Sequence, residues 1–159
     1  MNIVIRRSRS DESEQLIEIW RRSVDATHHF LSAQDRREIE RQVCAFFPQA
    51  PLWVAATHED RPCALMLLSE QHLEALFVDP DFRGMGVGRQ LVMYALGLIP
   101  RLTTDVNEQN AQAVGFYANM GFVVSGRSDH DDHGRPYPLL HLRYDARQNA
   151  KSPSVRTGF

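Results

Sequence analysis

The chain has 159 residues, 43% of them hydrophobic, and a formal net charge of −2 at pH 7. This length and apolar content suit a single globular domain, and the near-neutral charge gives no electrostatic reason to expect nucleic-acid binding. The two cysteines, Cys44 and Cys63, are too few for a disulfide framework and lack zinc-ligand spacing. No stretch resembles a signal sequence or approaches the roughly 18 apolar residues of a membrane span, so we expect a cytoplasmic protein that binds no membrane.

The first half of the chain predicts two helices followed by a meander of three strands. Apolar residues at helical spacing follow a short first strand and indicate an amphipathic helix. Ser32 is a suitable N-cap for a second helix, and Pro48 ends that helix. In chain order we predict a strand at 2–6, a helix at 11–24, a helix after Ser32, and strands at 52–56, 64–69 and 73–78.

The second half alternates helices with strands. Gly121 is placed to close the second of these helices, because glycine readily takes the left-handed conformation of a C-cap. We predict a helix at 89–98, a strand at 102–106, a helix at 111–120, and strands at 122–126 and 139–144. Residues 1–146 are therefore expected to form one domain, and the polar, aperiodic stretch 147–159 a disordered tail.

Glycines at alternate positions, Gly84, Gly86 and Gly88, link a buried strand to a helix. A glycine-rich loop at a helix N-terminus lets an anion such as phosphate approach backbone N–H groups, although a tight turn alone could also require the glycines. A P-loop is excluded because Gly-Lys-Ser/Thr is absent. A dinucleotide-binding fingerprint is not intact, since Arg89 stands where its third glycine belongs, but Asp105 imitates its ribose-binding acid and keeps an oxidoreductase as an alternative.

A second motif separates these alternatives. The stretch "VNEQNAQAVGFYANMGF" resembles the Asn-x-x-Ala-x-x-Phe-Tyr-x-x-x-Gly-Phe pattern of the Gcn5-related N-acetyltransferase family, and 83–88 resembles the glycine loop of that family. The opening "RRSRSDESEQLIEIWRRSVDATHHFLSA" and the late "GRPYPLLHL" are similar to its small bacterial members. The resemblance implies an α+β fold with a mostly antiparallel sheet of about seven strands, helices on both faces, and strands 4 and 5 that splay apart.

The resemblance also implies acetyl-CoA as cosubstrate. In the family, the pyrophosphate lies on the glycine loop, and the pantetheine arm pairs with the fourth strand as another strand would. Arginines at both ends of the loop could add charge for the phosphates. The positions implied for the cofactor are Leu76, Phe77, Val78, Arg83, Gly84, Met85, Gly86, Val87, Gly88, Arg89, Asn110, Phe116 and Tyr117.

Acetyl transfer to an amine needs a base for the amine, a donor for the carbonyl oxygen and an acid for the leaving thiolate. Tyr117 occupies the family's position for the acid, and a backbone N–H near 76–78 could serve the carbonyl. For the base, Glu70, His72 and Glu74 alternate on and before the fourth strand, and a water relay is a further option. We favour Glu74, because a carboxylate partly buried in a sheet would gain basicity by desolvation.

The acceptor amine is the least specified part of the prediction. His28, His29 and Phe30 stand at the junction of the first two helices and could line an acceptor pocket. His130 and His133 invite a metal interpretation, but a polar hairpin tip explains that stretch, and we predict no metal. We predict a monomeric or homodimeric N-acetyltransferase that acts by direct attack of a primary amine, of a small molecule or a peptide. The alternative is a noncatalytic acyl-CoA-binding sensor.

Overall fold

The computed structural model describes residues 1–147, which fall into two compact units. The first unit contains Met1–Ser69 and Glu74–Tyr94. The second contains Glu70–Leu73 and the chain from Ala95 onward. The predicted single domain over 1–146 therefore stays a prediction, and all of the predicted tail except Arg147 lies outside the described residues.

The first unit carries the two predicted N-terminal helices and the meander. The amphipathic stripe of the first helix buries Leu16, Ile19 and Trp20, which join Leu52 and Leu65 in an apolar core. The elements are β1 (Ile3–Arg7), α1 (Ser13–Thr27), α2 (Ala33–Phe46), β2 (Trp53–Thr57) and β3 (Pro62–Ser69), followed by most of β4 (His72–Val78) and of α3 (Val87–Leu98).

Local signals set the ends of α2 as the sequence predicts. The Ser32 side chain accepts a hydrogen bond of 3.1 Å from the backbone N–H of Asp35, so it is the N-cap. At the other end Pro48 lies in a short 3₁₀ turn, Phe47–Gln49, directly after the helix. Both predicted helix boundaries are confirmed.

The second unit contains β5 (Thr103–Asn107), α4 (Ala111–Met120), β6 (Phe122–Ser128) and β7 (Leu139–Tyr144). β7 lies between β5 and β6 and pairs antiparallel with both. β4 pairs parallel with β5 through only two residue pairs, His72 with Thr103 and Leu73 with Thr104. Across the chain the strand order is β1-β2-β3-β4-β5-β7-β6, so the predicted seven-stranded, mostly antiparallel α+β fold is confirmed.

Two irregularities shape the second unit. Gly121 closes α4 with φ +107°, a left-handed conformation that favours glycine, as the sequence predicts. A β-bulge between Val124 and Gly126 shifts the register of β6 against β7. Because a bulge inserts one residue, it changes which β6 side chains share a face with a given residue of β7.

Candidate active site

The glycine loop, residues 83–89, joins β4 to α3 in the first unit. Gly84 and Gly86 have φ of +78° and +79°, the left-handed region that side chains disfavour. A Cβ built on either glycine would meet no heavy atom within 4 Å, so open space lies in front of the backbone. The turn therefore requires glycine for its conformation, and packing leaves room for a ligand beside it.

The first turn of α3 presents backbone donors at this loop. In this turn the Gln90 N–H donates to the Gly86 carbonyl at 3.0 Å. The first N–H groups of a helix have no intrahelical acceptor, and they form the positive end of the helix dipole. Arg83 and Arg89 are exposed at the two ends of the loop. Backbone and side chains together make a surface suited to an anion.

The part of β4 that lies in the first unit holds the predicted pantetheine positions and Glu74. Leu76, Phe77 and Val78 are half-buried, and Phe77 packs against the apolar core. Glu74 is exposed, so the partial burial expected of it is wrong. The reason is strand alternation: Leu73 is 2% exposed and buries one face of β4, which leaves the neighbouring Glu74 on the other.

The two other base candidates lie in the second unit. Glu70 is exposed in the turn before β4, where it has a left-handed φ of +56°. His72 opens β4 and is half-buried. Its Nδ1 lies 2.7 Å from the Thr103 hydroxyl, and its Nε2 lies 3.4 Å from a carboxylate oxygen of Asp105. Of the three candidates, His72 is the one that the structure surrounds with polar partners.

Tyr117 is buried in the second unit, with 6% of its surface exposed. Its ring stacks edge-on with Phe116 and Phe122, whose centroids lie 5.0 and 5.3 Å away. Its phenol forms a hydrogen bond with the Thr104 hydroxyl, which donates to the Leu73 carbonyl at 2.8 Å. Burial raises the pKa of the phenol well above its ordinary value, and the Thr104 contact opposes this only in part. The phenol is therefore protonated at neutral pH and is a weaker acid than an exposed tyrosine.

Asn110 and Phe116, the other predicted cofactor residues of the second unit, support α4. The Asn110 side chain accepts a hydrogen bond of 3.2 Å from the Ala113 N–H and caps the helix. Phe116 is half-buried beside Tyr117. Both residues thus position the helix that carries Tyr117, and their contact with a cofactor stays a prediction.

A cluster of polar side chains, which we call the Asp105 cluster, joins three more strands to His72. One Asp105 oxygen lies 2.6 Å from Nδ1 of His141, and Nε2 of the same ring lies 2.6 Å from the Ser128 hydroxyl. A carboxylate only accepts hydrogen bonds, so Nδ1 of His141 donates to Asp105, and in the neutral ring Nε2 then accepts from Ser128. The cluster consists of His72, Thr103, Asp105, Ser128 and His141.

No catalytic role for Asp105, Ser128 or His141 is predicted from the sequence. Asp105 and His141 are direct partners in the antiparallel register of β5 and β7, although 36 positions separate them. In the structure the residues of β5 alternate: Thr103, Asp105 and Asn107 are half-exposed, and Thr104 and Val106 are buried. The polar residues at 103, 105 and 107 were the sequence signal for this face. That alternation predicts a polar face on β5, but not the residues that cover it.

The predicted acceptor segment lies in the first unit, where α1 ends. The Thr27 hydroxyl donates to the Ser23 carbonyl at 2.8 Å and therefore accepts from Nδ1 of His28 at 2.7 Å. Burial lowers the pKa of His28 to about 4, and His28 stacks on Phe30 with centroids 5.2 Å apart. His29 is exposed, and its Nε2 lies 3.0 Å from the Ala26 carbonyl. A role of this segment in acceptor binding stays a prediction.

The histidine-rich hairpin between β6 and β7 is organised by Asp131. One of its oxygens accepts hydrogen bonds from the backbone of His133 and of Arg135, at 2.9 and 2.8 Å. His130 and His133 are exposed. Within residues 1–147, no group of three or more His, Cys, Asp or Glu residues is arranged to hold a metal ion. In the same part of the chain, every helix is too short or too polar to cross a lipid bilayer.

Comparison with known proteins gives one consistent assignment. Residues 9–138 match the family described as "Acetyltransferase (GNAT) domain". The chain is 62% identical over 144 residues to "Peptidyl-lysine N-acetyltransferase YjaB" of Escherichia coli strain K12, an alignment that covers 91% of this chain and 98% of that protein.

Solved structures agree with this assignment. The solution structure of apo-form YjaB from Escherichia coli superimposes with a TM-score of 0.87 at 62% identity, over 91% of this chain and 98% of that one. PaiA N-acetyltransferase from Thermoplasma acidophilum, solved in complex with coenzyme A, superimposes with a TM-score of 0.70 at 19% identity, over 91% of this chain and all of that one (100%). At such low identity the second likeness shows the fold alone.

Proposed function

This chain belongs to the GNAT acetyltransferase family, and on that premise we propose that it transfers the acetyl group of acetyl-CoA to the side-chain amine of lysine in a peptide or protein. The observation that carries the proposal is the 62% identity to a peptidyl-lysine N-acetyltransferase along 91% of this chain. A relationship of that extent covers both the glycine loop and Tyr117. A lysine acceptor is a more specific form of the primary-amine acceptor that the sequence predicts.

The described residues fit acetyl-CoA in the first unit. The open backbone at Gly84 and Gly86, the backbone donors of the α3 N-terminus and the charge of Arg83 suit a pyrophosphate. The half-buried positions Leu76, Phe77 and Val78 suit the extended, amide-bearing arm, which pairs with a strand by main-chain hydrogen bonds. When bound, acetyl-CoA supplies the thioester that carries the acetyl group.

Tyr117 is proposed as the acid that protonates the leaving thiolate. The lysine nitrogen forms a bond to the acetyl carbon, the C–S bond breaks, and the thiolate accepts the phenolic proton of Tyr117. The proton that the new amide nitrogen gives up restores the phenol, so the step balances. Because a thiolate is a stronger acceptor than a thioester sulfur, this hydrogen bond stabilises the transition state more than the ground state.

Before attack, the lysine ammonium must lose a proton, because an amine with a pKa of about 10.4 is under ~0.1% neutral at pH 7. The exposed Glu74 gains no basicity from burial, which weakens the case for it as the base. His72 is held by Thr103 and by Asp105 and is the better supported of the predicted bases. The segment His28 to Phe30 is proposed to contact the acceptor peptide.

A noncatalytic acyl-CoA sensor would keep the glycine loop but would not need Tyr117. The test is to incubate the protein with acetyl-CoA and a library of peptides that contain one lysine each, and to locate acetylation by mass spectrometry. Matched peptides with arginine in place of lysine control for N-terminal acetylation, and spermidine tests a small-molecule amine. Acetylation of lysine peptides alone supports the proposal. Binding of acetyl-CoA with no transfer to any amine would establish the sensor.

A further inference from the structure

The base for the lysine amine can be assigned beyond the candidates that the sequence offers, and this assignment rests on the proposed function. We propose that Ser128, His141 and Asp105 form a proton relay that takes the proton from the acceptor ammonium. The Ser128 hydroxyl receives it while passing its own proton to Nε2 of His141, and the Asp105 carboxylate stabilises the imidazolium that results. The net change is ammonium to amine and imidazole to imidazolium, after which solvent takes the proton from the ring.

The hydrogen-bond directions of the Asp105 cluster support His141 over His72. Nε2 of His141 is the basic nitrogen, and its 2.6 Å partner is the Ser128 hydroxyl, which both accepts and donates a proton. The Thr103 hydroxyl donates to the Gln71 carbonyl at 3.4 Å and therefore accepts from Nδ1 of His72 at 2.7 Å, which leaves Nε2 of His72 facing Asp105 at 3.4 Å. His72 therefore directs Nε2 at a carboxylate oxygen rather than at a hydroxyl that could pass on a substrate proton. It is a positioning residue, which holds the second oxygen of Asp105.

The bulge in β6 explains how this arrangement forms. The register places Val124 opposite Leu142 but Gly126, rather than Ser125, opposite His141. A Cβ built on Gly126 would lie 3.4 Å from Cδ2 of His141, so the imidazole lies against the bare backbone of Gly126. Two residues further along the same face, the Ser128 hydroxyl reaches Nε2. Bulges frequently redirect a side chain beside an active site, and this one directs Ser128 at His141.

The cluster is fixed yet accessible. Side-chain exposure is 36% for His141 and 25% for both Asp105 and His72, so a lysine side chain can approach while the carboxylate is partly shielded from solvent. Tyr117 contacts Thr104, which alternates with Thr103 and Asp105 along β5. The proposed acid and the proposed relay thus lie on opposite faces of one strand.

Charged or titratable residues lie on all four strands around His141, and Arg127 of β6 pairs with Glu108 at 2.8 Å. Among the described residues of the second unit, Asp105 faces it from β5, His72 lies beyond that carboxylate on β4, and Arg143 follows two positions along β7. Arg143 lies 3.6 Å from Asp145, which offsets its charge. The facing part of β6 supplies Gly126 and Ser128, neither of which titrates.

The test is the rate of lysine-peptide acetylation as a function of pH for His141→Gln, Asp105→Asn, Ser128→Ala and, as control, Ser125→Ala. The control removes a serine of the same strand whose hydroxyl donates to the His141 backbone carbonyl at 3.1 Å rather than to the ring. General-base catalysis contributes roughly 10²–10⁴-fold, so we expect His141→Gln to lower kcat/KM about a hundredfold or more at pH 7. We expect Ser128→Ala to lower it about tenfold and Ser125→Ala to change it less than about twofold.

The pH profile separates a relay from a merely structural part. The deficit of His141→Gln should shrink steadily as the pH approaches 10, because the lysine then loses its proton to solvent. Asp105→Asn should lower kcat/KM at pH 7, because the imidazolium that forms in the relay loses the carboxylate that stabilises it. Acetyl-CoA affinity measured by calorimetry should be unchanged in every variant. A deficit that is the same at every pH, or no deficit, would overturn the relay.

Two further measurements examine the His141 ring and the Ser128 hydroxyl directly. Nitrogen-15 NMR of the histidine side chains should show His141 protonated at Nδ1 and unprotonated at Nε2, and the opposite tautomer would overturn the relay without any assay. Intact-mass analysis after addition of acetyl-CoA should show no acetyl ester on Ser128, since such an ester would make Ser128 a nucleophile instead. A wild-type protein that acetylates no lysine peptide contradicts the proposed function. An active wild type with an equally active His141→Gln contradicts only the relay.

Discussion

The glycine loop of the first unit and the Asp105 cluster of the second are built in opposite ways. The loop is local: consecutive residues form it, and its chemistry comes from backbone N–H groups that glycine leaves uncovered. The cluster is assembled from side chains on four strands, which only sheet pairing brings together. The loop therefore depends on glycine having no side chain, whereas the cluster depends on the register in which the strands pair.

The largest effect is expected in the second unit, from Tyr117→Phe. Loss of the phenolic proton should lower kcat by roughly ten- to a thousandfold, as expected for a charge-assisted hydrogen bond of about 1.5–4 kcal/mol. The acetyl-CoA dissociation constant should change little, because the ring still packs between Phe116 and Phe122. Steady-state kinetics with a verified lysine peptide, together with calorimetry, measure both quantities.

The matched control for Tyr117→Phe is Tyr94→Phe. That change removes a hydroxyl from a ring that packs on Trp53 with centroids 4.9 Å apart in the first unit. It should alter kcat by less than about twofold. If Tyr117→Phe keeps full turnover, the acid is another group, and the chemistry of the second unit must be reassigned.

Backbone replacement in the loop should act on binding instead of turnover. Gly86→Val should weaken acetyl-CoA binding at least tenfold, because valine disfavours a φ of +79° and would stand where a phosphate meets the backbone. Gly86→Asn separates these two causes, since asparagine tolerates the left-handed region but still adds a side chain. Calorimetry with acetyl-CoA and with acetyl-pantetheine, which lacks the pyrophosphate, would localise the loss.

Gly97→Ala is the control for the loop. Gly97 lies in α3, where an added Cβ would meet no heavy atom within 4 Å, so alanine should leave affinity unchanged and stabilise the helix slightly. Should folded Gly86→Val and Gly86→Asn both bind acetyl-CoA normally, the phosphate would have to bind elsewhere.

The same contrast explains what could be predicted from the sequence. The seven strands, the Ser32 cap, the Gly121 closure and the glycine loop were predicted, because each depends on neighbours within a few positions. The contact of Asp105 with His141 spans 36 positions, and that of Ser128 depends on a bulge that leaves no local signal. The burial of Glu74 was predicted wrongly, because periodicity shows that two faces of β4 differ but not which face is buried.

A smaller effect, on stability and dependent on pH, is expected from the different surroundings of His28 in the first unit and His141 in the second. Within residues 1–147 His28 has no carboxylate partner, and burial lowers its pKa to about 4, whereas His141 lies against Asp105. Between pH 4 and 6.5, His28 is protonated in the unfolded chain, where its pKa is near 6.5, but stays neutral in the folded protein. The stability that depends on His28 is therefore complete above pH ~6.5 and is lost progressively as the pH falls toward 4.

Chemical denaturation of wild type and His28→Gln between pH 4 and 8 measures this difference. The gap between the two proteins should be constant above pH ~6.5 and should narrow or reverse below it. His29→Gln, at an exposed position next in sequence, should show no such change. A gap that stays constant down to pH 4 would mean that His28 is charged in the folded protein and is open to solvent.

The smallest effect is expected from Glu74→Gln, the substitution that the sequence alone would have ranked among the most damaging. Its carboxylate is exposed, so it lacks the desolvation that would make it a strong base, and solvent screens its charge. We expect kcat/KM on a lysine peptide to fall less than about threefold, with the acidic limb of the pH profile in place, while His141→Gln lowers the rate about a hundredfold. Measured side by side on one peptide, the two variants rank the two possible bases directly. If Glu74→Gln shifts the acidic limb and His141→Gln does not, then the base belongs to β4 as the family pattern implies, and the Asp105 cluster only stabilises the sheet.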